Sequence, residues 1–334
     1  MTRGNSGLCA LVMLCVLVPV SVFCGENENA RASEKSEIVI ATVSSLASSL
    51  LYIAETRGYF KDNGINVILK EYATQRGATR ALVHGEAHLA TGMDSDVALA
   101  IMRQKDFLIY CSLARGTFFH VFTEQEHRIK KIADLKGKRI GIAETFTARH
   151  SLERFLNVHN LDLQEVRLRE LSPGTELEVL EKERLDAVYA FNRYCHSRSS
   201  QQDAKPFTFN TPRRMDHFCL LIGRKETQPE TGELPIKKLL DALLKAEEYM
   251  HRNSAEAKEI LARRLDCPGD RLQALEQLIL FTVSLDQTLL LSMEEFARWM
   301  KAREEQPGET PNFLRHIAVD PLATLKPDAM SIVR

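Results

Sequence analysis

The amino-acid sequence has 334 residues, which corresponds to two domains or one large one at about 100–200 residues per domain. Hydrophobic residues make up 44% and charged residues 27%, and this composition excludes a collagen-like repeat and a multi-pass membrane protein. Lysine and arginine number 44 against 45 aspartates and glutamates. Because nucleic-acid binders usually carry an excess of basic residues, we expect no nucleic-acid partner.

The first 25 residues differ from the rest of the chain. There is no charge from Gly4 to Gly25, and Leu8 to Val18 is an unbroken apolar run. That run is too short for a transmembrane helix, which needs about 20 apolar residues, and the layout is typical of a secretory signal peptide. We therefore predict a signal peptide at 1–24, a flexible linker at 25–35 and export to the periplasm.

The sequence leaves three outcomes of processing open. The stretch Ala30-Arg31-Ala32 fits an A-x-A cleavage site. Alternatively, Cys24 is the lipidated cysteine of a membrane-tethered lipoprotein, although Ser-Val-Phe before it is a poor match to the small residues expected there. The third outcome is an uncleaved N-terminal anchor. The pairing of the cysteines in the body of the chain cannot be read from the sequence: Cys111, Cys195, Cys219 and Cys267.

Strands and helices alternate in the first part of the body. Apolar, β-branched runs predict strands at 37–43, 65–69, 87–91 and 107–113. The segments between them have helical spacing and predict helices at 50–60, 77–84 and 96–104. This βαβαβαβ order indicates a parallel sheet with helices on its faces.

A second, smaller α/β unit begins near Phe118. Its predicted strands are 139–143, 166–171 and 185–191, and its predicted helices are 148–159 and 175–183. A polar, irregular stretch follows, after which an apolar strand returns at 217–223. From Ile236 onward the pattern is helical, and the last long helix has one apolar stripe formed by Leu289, Met293, Phe296 and Met300.

Four segments of the chain, in order, resemble a known family. They are AETRGYFKDNGINV at 54–67, ALVHGEAHLATGM at 81–93, IADLKGKRIGIA at 132–143 and VLEKERLDAVYAF at 179–191. The chain is similar to the bacterial ABC-transporter substrate-binding proteins of the NitT/TauT, NMT1-like family, which bind nitrate, sulfonates, taurine and thiamine-pyrimidine precursors. His88 stands where the family usually has an aspartate, and Glu183-Arg184 replaces a glycine pair, so the ligand contacts are expected to differ.

The resemblance implies an α/β, two-lobe periplasmic-binding-protein fold of type II, with a hinge of two crossing segments and a helical C-terminal part. The α/β pattern that restarts near Phe118 and the strand that returns at His217 divide the chain accordingly. We expect residues 36–117 with 218–334 to form lobe 1, residues 124–212 to form an inserted lobe 2, and residues 118–123 and 213–217 to form the hinge.

In such a fold the ligand lies between the lobes, at the carboxyl ends of strands and beside helix N-termini. Unpaired N–H groups and a partial positive charge there suit a sulfonate, carboxylate or phosphate. The candidate ligand-binding residues are Ser44, Ser45, Ser48, Gln75, Arg76, Asp94, Ser95, Thr145, Phe146, Thr147, Arg149, Asn192 and Arg193. Several of these residues also have a simpler explanation, because serine and threonine are common helix caps and arginine is usually exposed.

We expect this cleft to bind a small, polar, anionic molecule reversibly without transforming it, with Arg149 as the principal anion contact. If the ligand is cationic instead, Asp94, Asp96 and Glu144 become the contacts. The pair His84 and His88 has the spacing of a zinc helix, but Gly85 between them favours a turn. We expect no enzyme activity, cofactor or metal.

The resemblance implies that the protein is a monomer whose partners are the small-molecule ligand and the permease and ATPase subunits of an ABC transporter. The alternatives are a ligand-sensing domain and a binder of pyrimidine precursors with the same fold.

Overall fold

The structure, a computed structural model, describes residues 37–103, 106–123, 129–183, 185–191, 206–207, 216–225, 234–305 and 308–332. The predicted signal peptide and linker (1–35) lie outside these residues, and so do the predicted site residues Asn192 and Arg193. Within the described ranges, no helix combines the length and the apolar character needed to cross a membrane.

The described elements are strands and helices in alternation. The strands are β1 (Glu37–Val43), β2 (Asn66–Tyr72), β3 (Leu89–Met93), β4 (Phe107–Gly116), β5 (Phe119–Phe122), β6 (Arg139–Ala143), β7 (Arg167–Leu171), β8 (Ala187–Phe191), β9 (Pro206–Phe207), β10 (His217–Arg224) and β11 (Ile279–Ser284). The helices are α1 (Ser49–Thr56), α2 (Tyr59–Asp62), α3 (Gln75–Val83), α4 (Asp94–Met102), α5 (Phe146–Val158), α6 (Glu176–Glu183), α7 (Ile236–Arg252), α8 (Ser254–Arg264), α9 (Gly269–Glu276), α10 (Gln287–Ala302) and α11 (Val319–Leu325).

The first sheet has six strands in the order β11-β4-β10-β3-β1-β2. Strand β1 is parallel to both of its neighbours, and its residues from Ile40 to Val43 are buried, as expected of a central strand covered by helices. Strand β10 lies antiparallel between β3 and β4, and β11 is antiparallel to β4. The four predicted strands β1 to β4 do run in one direction, because β1 is parallel to β2 and β3, and β10 is antiparallel to both β3 and β4. The sheet as a whole is mixed, since β10 separates β3 from β4 and β11, in a region predicted as wholly helical, is antiparallel to β4.

The second sheet has five strands in the order β7-β6-β8-β5-β9. Strand β6 is parallel to β7 and β8, whereas β5 is antiparallel to β8 and β9. The chain passes from the first sheet to the second between Gly116 and Phe119, and it returns between β9 and β10. Strand β5 occupies most of the segment 118–123 that the sequence analysis assigns to the hinge.

Three helix boundaries differ from the sequence prediction for local reasons. The helix predicted at 50–60 is broken at Gly58, whose φ of 77° lies in the left-handed region that glycine adopts readily. Helix α4 begins at Asp94 because β3 ends at Met93, and two acidic residues in the first turn favour the helix N-terminus. Helix α5 begins at Phe146 because the side chain of Thr145 caps it.

The C-terminal part packs mainly on the helices of the first sheet. The predicted apolar stripe of α10 is confirmed, since its four residues are fully or almost fully buried: Leu289, Met293, Phe296 and Met300. Helix α10 packs against α4, and α7 packs against α1. This packing holds α4, whose first turn reaches the cleft described next, against the body of the protein.

Candidate functional site

A cleft of about 1260 Å³ lies between the two sheets, where the carboxyl ends of β1, β3, β6 and β8 meet the first turns of α3 and α5. One wall comes from the first α/β unit: Val43, Thr74, Gln75, Arg76, Thr79, Arg80, Val83, Met93, Asp96, Leu99, Ala100 and Arg103. The other wall comes from the second unit: Phe119, Ala143, Glu144, Thr145, Phe146, Thr147, Arg149, Glu170, Pro173, Gly174, Glu176, Leu177, Glu178, Tyr189, Ala190 and Phe191.

Two capped helix N-termini face each other across the cleft. Thr74 Oγ1 accepts a hydrogen bond from Gly77 N (3.0 Å) at the start of α3, and Thr145 Oγ1 accepts one from Ala148 N (3.1 Å) at the start of α5. The simpler explanation of Ser95 and Thr147 as helix caps does not apply, because both residues lie inside helices. Each capped terminus contributes a partial positive charge to its wall.

A short hydrogen-bond chain joins α4 and α5 at the cleft. Ser95 Oγ donates to Thr147 Oγ1 (3.1 Å), and Thr147 Oγ1 donates to Asp96 Oδ1 (2.5 Å). Burial and the neighbouring charge of Asp94 raise the pKa of Asp96 to about 6, although the hydrogen bond from Thr147 opposes this rise. Asp96 is thus a cleft-lining carboxyl that gains or loses its proton near neutral pH.

Asp94 lies below the cleft surface in a second buried network. Its Oδ2 accepts from Ser292 (2.5 Å), and its Oδ1 lies 3.6 Å from His217 Nδ1. On the far side of the imidazole, Nε2 is 2.8 Å from Ser151 Oγ, which is also 2.8 Å from the hydroxyl of Tyr189. Burial would raise the pKa of Asp94, but the interactions with His217 and Ser292 outweigh burial and lower it.

These side chains include serine, histidine and aspartate in the order of a catalytic triad, yet the geometry does not suit nucleophilic catalysis. Ser151 is only 1% exposed, and its hydroxyl is shared between His217 and Tyr189. A nucleophile needs room for a reacting atom about 3 Å away. The network instead connects β8 and α5 with β10 and α4 through the interior.

Charges of both signs line the cleft. Four arginines and five acidic residues contribute to its walls: Arg76, Arg80, Arg103, Arg149, Asp96, Glu144, Glu170, Glu176 and Glu178. Arg149 Nη1 lies 3.9 Å from Glu170 Oε1, so part of its charge is already compensated. Arg103 of the first wall lies 6.0 Å from the ring centre of Phe146 on the second wall, within reach of a cation–π contact.

Aromatic rings form the apolar part of the second wall. The ring of Phe119 is stacked on Tyr189 with centroids 5.6 Å apart and meets Phe191 edge-on at 5.4 Å. Rings at such separations pack favourably. Phe119 is 7% exposed and Tyr189 2%, so these packed rings form an apolar base of the second wall.

The structure places the sequence-predicted site residues in three groups. Six of them line the cleft: Gln75, Arg76, Thr145, Phe146, Thr147 and Arg149. Five lie behind it or beside it: Ser44, Ser45, Ser48, Asp94 and Ser95. Ser48 in particular serves the interior, because its hydroxyl is 2.7 Å from Thr42 Oγ1 and donates to Val43 O. Asn192 and Arg193 lie outside the described residues.

The candidate list omits several residues that line the cleft, and the spacing of residues along a helix identifies two of them. Thr79 and Arg80 follow Gln75 and Arg76 by four residues, and residues four apart share one face of a helix. Helix periodicity applied to Gln75 and Arg76 would therefore have extended the list to Thr79 and Arg80. Tyr189 and Phe191 also line the cleft, two residues apart on one face of β8, but no candidate residue indicated that face.

The histidine pair His84 and His88 is divided by a turn, as the sequence predicts. His84 follows the last residue of α3, Gly85 has a φ of 74°, and His88 Nδ1 accepts a hydrogen bond from Val39 N at 3.0 Å. Among the described residues, no group of three or more histidine, cysteine, aspartate or glutamate side chains is arranged to hold a metal ion.

Comparisons with known proteins agree on family and fold. The model of the family described as NMT1/THI5 like matches residues 47–257. A formylaminopyrimidine-binding protein of Halalkalibacterium halodurans is 24% identical over 262 residues, covering 76% of this chain and 78% of that protein.

Two solved structures illustrate the likeness of fold. The alkanesulfonate-binding protein SsuA of Xanthomonas axonopodis pv. citri, bound to MOPS, superposes with a TM-score of 0.69 at 17% identity and covers 86% of this chain and 99% of that one. The desulfurization enzyme DSZB superposes with a TM-score of 0.63 at 14% identity and covers 86% of this chain and 98% of that one. The predicted α/β periplasmic-binding-protein fold is confirmed, and the same fold serves both a binding protein and an enzyme.

Proposed function

The chain belongs to the NMT1/THI5-like family, and from that premise we propose that it is an extracytoplasmic solute-binding protein that holds a small polar molecule in the cleft between its two sheets. The observation that carries this proposal is the cleft itself. The carboxyl ends of strands from both sheets and the capped N-termini of α3 and α5 meet at this cleft. Open α/β sheets bind their ligands in this position.

The mixed polarity of the cleft favours a ligand with both donors and acceptors. A nitrate or sulfonate offers only acceptors and would meet Asp96, whereas Arg149 is already engaged by Glu170. An aminopyrimidine offers N–H groups to Asp96, acceptors to the helix N-termini and a flat ring to Phe119 and Tyr189. We therefore favour the aminopyrimidine class over the anion that the sequence analysis expects. The name of the H. halodurans relative supports this choice.

The proposed setting is transport across a membrane. The N-terminal sequence has the layout of a signal peptide, and Cys267 is disulfide-bonded, as is common in proteins of oxidising compartments. We propose that residues 36–117 with 218–334 form one lobe, that residues 124–212 form the other, and that closure around the two chain crossings traps the ligand. Delivery to an ABC permease and its ATPase follows from this setting.

Calorimetric titration of the purified chain tests the function. We expect saturable, one-to-one binding of a formylaminopyrimidine, and mass spectrometry should recover the compound unchanged. In a parallel thermal-shift screen, a ligand at 100 times its dissociation constant adds about 2.7 kcal/mol of stability.

Methanesulfonate and nitrate serve as the anionic controls. Binding of either anion tighter than that of the aminopyrimidine would overturn the ligand class but leave a solute-binding function. Chemical conversion of the bound compound would overturn the binding-protein function itself.

A further inference from the structure

Two side chains on the first wall of the cleft have polar groups that are left without a partner. Gln75 and Thr79 both line the cleft, and they lie one turn apart on one face of α3. The amide nitrogen and oxygen of Gln75 and the hydroxyl of Thr79 are shut off from solvent and make no hydrogen bond to any part of the chain that the structure describes. Three unsatisfied polar atoms are therefore concentrated on one face of the first two turns of α3.

Such atoms are unfavourable for the folded protein. A buried donor or acceptor without a partner destabilises the folded state, because it has lost its hydrogen bonds to water. Native proteins satisfy the large majority of these groups, so each exception calls for a reason. Three such atoms on one helix face beside a cleft indicate a role other than stabilising the fold.

Capping of the helix is not that reason. Thr74 already caps α3 by accepting from Gly77 N at 3.0 Å, so the Gln75 side chain is not needed for the helix to start. Arg76 and Arg80 occupy the next positions along the helix and are exposed. The charged groups of α3 thus meet solvent, while the polar atoms of Gln75 and Thr79 do not, so these two side chains present their polar groups to the cleft only after a change of rotamer.

We infer that Gln75 and Thr79 form a specificity subsite that pairs with an uncharged hydrogen-bonding edge of the ligand, one that presents a donor and an acceptor side by side. An amide has one acceptor oxygen and a donor NH₂ group, and a hydroxyl both donates and accepts. A carboxamide, a formamide or the amidine edge of an aminopyrimidine satisfies both ends of Gln75. An oxyanion, which only accepts, leaves Gln75 Oε1 unpaired. This inference rests on the proposed function and assigns the residues that select the ligand within it.

The first test measures stability without any ligand. Gln75→Met and Thr79→Val remove the unsatisfied groups while keeping similar side-chain shapes. We expect each to raise the Tm of the free protein by about 1–3 °C. Thr74→Val is the matched control on the same helix. Its hydroxyl has a partner, so the loss of the cap should lower the Tm.

The second test measures ligand selection by calorimetry. With a formylaminopyrimidine as the probe, Gln75→Met and Thr79→Val should each weaken binding about tenfold, which equals about 1.4 kcal/mol. Gln75→Glu keeps the acceptor but removes the donor, so it should weaken binding as well.

We expect both variants to show a higher Tm and weaker binding, because polar groups that lack partners in the free protein destabilise it but pair with the ligand. A fall in the Tm of Gln75→Met and Thr79→Val would show that these groups stabilise the fold and would overturn the inference. Unchanged affinity in both variants would overturn it as well, even if the wild type binds the probe. Failure of the wild type to bind the probe would count against the proposed ligand class, whereas the stability test would still decide whether the subsite is held unsatisfied.

Discussion

At the scale of single residues, two carboxyls in the first turn of α4 behave in opposite ways. Asp94 has a lowered pKa because the interactions with His217 and Ser292 outweigh the effect of its burial. Asp96 has a pKa of about 6 because burial, reinforced by the charge of Asp94, outweighs its hydrogen bond from Thr147. Two residues of separation along one helix therefore distinguish a structural carboxylate from one whose charge changes near neutral pH.

The pH dependence of stability follows from this difference. Free in the unfolded chain, Asp96 loses its proton near its ordinary pKa of 3.8, but in the folded protein it does so near 6. Between these values the folded state binds more protons, so its stability falls as the pH rises, and above pH 6 the ionised group costs about 2–3 kcal/mol. Asp96→Asn keeps an acceptor for Thr147, so it should be more stable than the wild type above about pH 6.

Urea unfolding of the ligand-free protein between about pH 4 and 8 measures this effect. The advantage of Asp96→Asn should shrink as the pH falls toward 4. Asp94→Asn is the control with the opposite sign: a lowered pKa stabilises the fold at neutral pH, and this contribution is lost on acidification through the folded pKa. If both variants destabilise the protein equally at neutral pH, the environment assigned to Asp96 is wrong.

At the scale of elements, the strands that cross between the sheets depend on tight backbone contacts. Gly116 ends β4 opposite both His217 of β10 and Ile279 of β11. Its φ is 150°, and a Cβ added there would lie 2.2 Å from Leu278 O. The only residue type that fits this junction is therefore glycine.

Replacement of two glycines by alanine separates conformational strain from steric collision. Gly58 also has a positive φ, but a Cβ there meets nothing within 4 Å, so Gly58→Ala should lose about 1 kcal/mol of stability from backbone strain alone. Gly116→Ala adds a collision with main-chain atoms and should lose about 3 kcal/mol or more. Chemical denaturation of the two variants measures the difference, and equal losses would mean that β11 moves aside without penalty.

The elements that the sequence predicts well are those whose burial is uniform. Strands β1 and β6 have the predicted bounds because an apolar, β-branched run covered on both faces has a clear pattern. Strand β11 was missed because it is a short strand at the edge of the sheet, with an exposed Leu280, amid helical sequence. The insertion of β10 between β3 and β4 depends on long-range pairing, which no local pattern encodes.

In the candidate site, too, local features are predicted from the sequence and long-range contacts are not. Strand ends and helix starts are local features, and they correctly indicate where Gln75, Arg76 and Thr147 lie on the cleft. That Asp94 belongs to the interior follows from its contacts with His217 and Ser292, which are 123 and 198 residues away along the chain. Charge balance in the cleft likewise depends on Glu170 and Glu176, which only the folded chain brings there. Ligand contact by these residues stays a prediction.

At the scale of the whole molecule, a polar clasp joins α5, which follows β6 of the second sheet, to α10, which packs on α4 beside the first sheet. Glu153 accepts from Trp299 Nε1 at 3.0 Å and from Arg303 Nη2 at 2.5 Å. Arg303 also lies 4.4 Å from the ring centre of Trp299, and Arg154 pairs with Glu295 at 3.0 Å. This clasp lies apart from the residues that line the cleft, so it connects the two units without touching the proposed ligand.

A double-mutant cycle measures how strongly the clasp holds. Glu153→Ala, Arg303→Ala and the double variant should give a coupling of about 1 kcal/mol, because Glu153 is only 17% exposed and accepts from both Arg303 and Trp299, while the Arg303 side chain is 33% exposed. The matched control is the exposed pair Glu178 and Lys182, where screening by solvent should leave a clearly smaller coupling. Equal coupling in the two cycles would contradict a role for the clasp in joining the units.

The clasp also gives the protein a built-in optical reporter. Trp299 is the only tryptophan in the sequence, and its indole N–H is bonded to Glu153 of the other unit. Tryptophan emission from this chain therefore originates at the contact between α5 and α10, away from the cleft. A change in emission when a non-fluorescent compound is added would report a rearrangement between the two units, and it would do so without any attached dye.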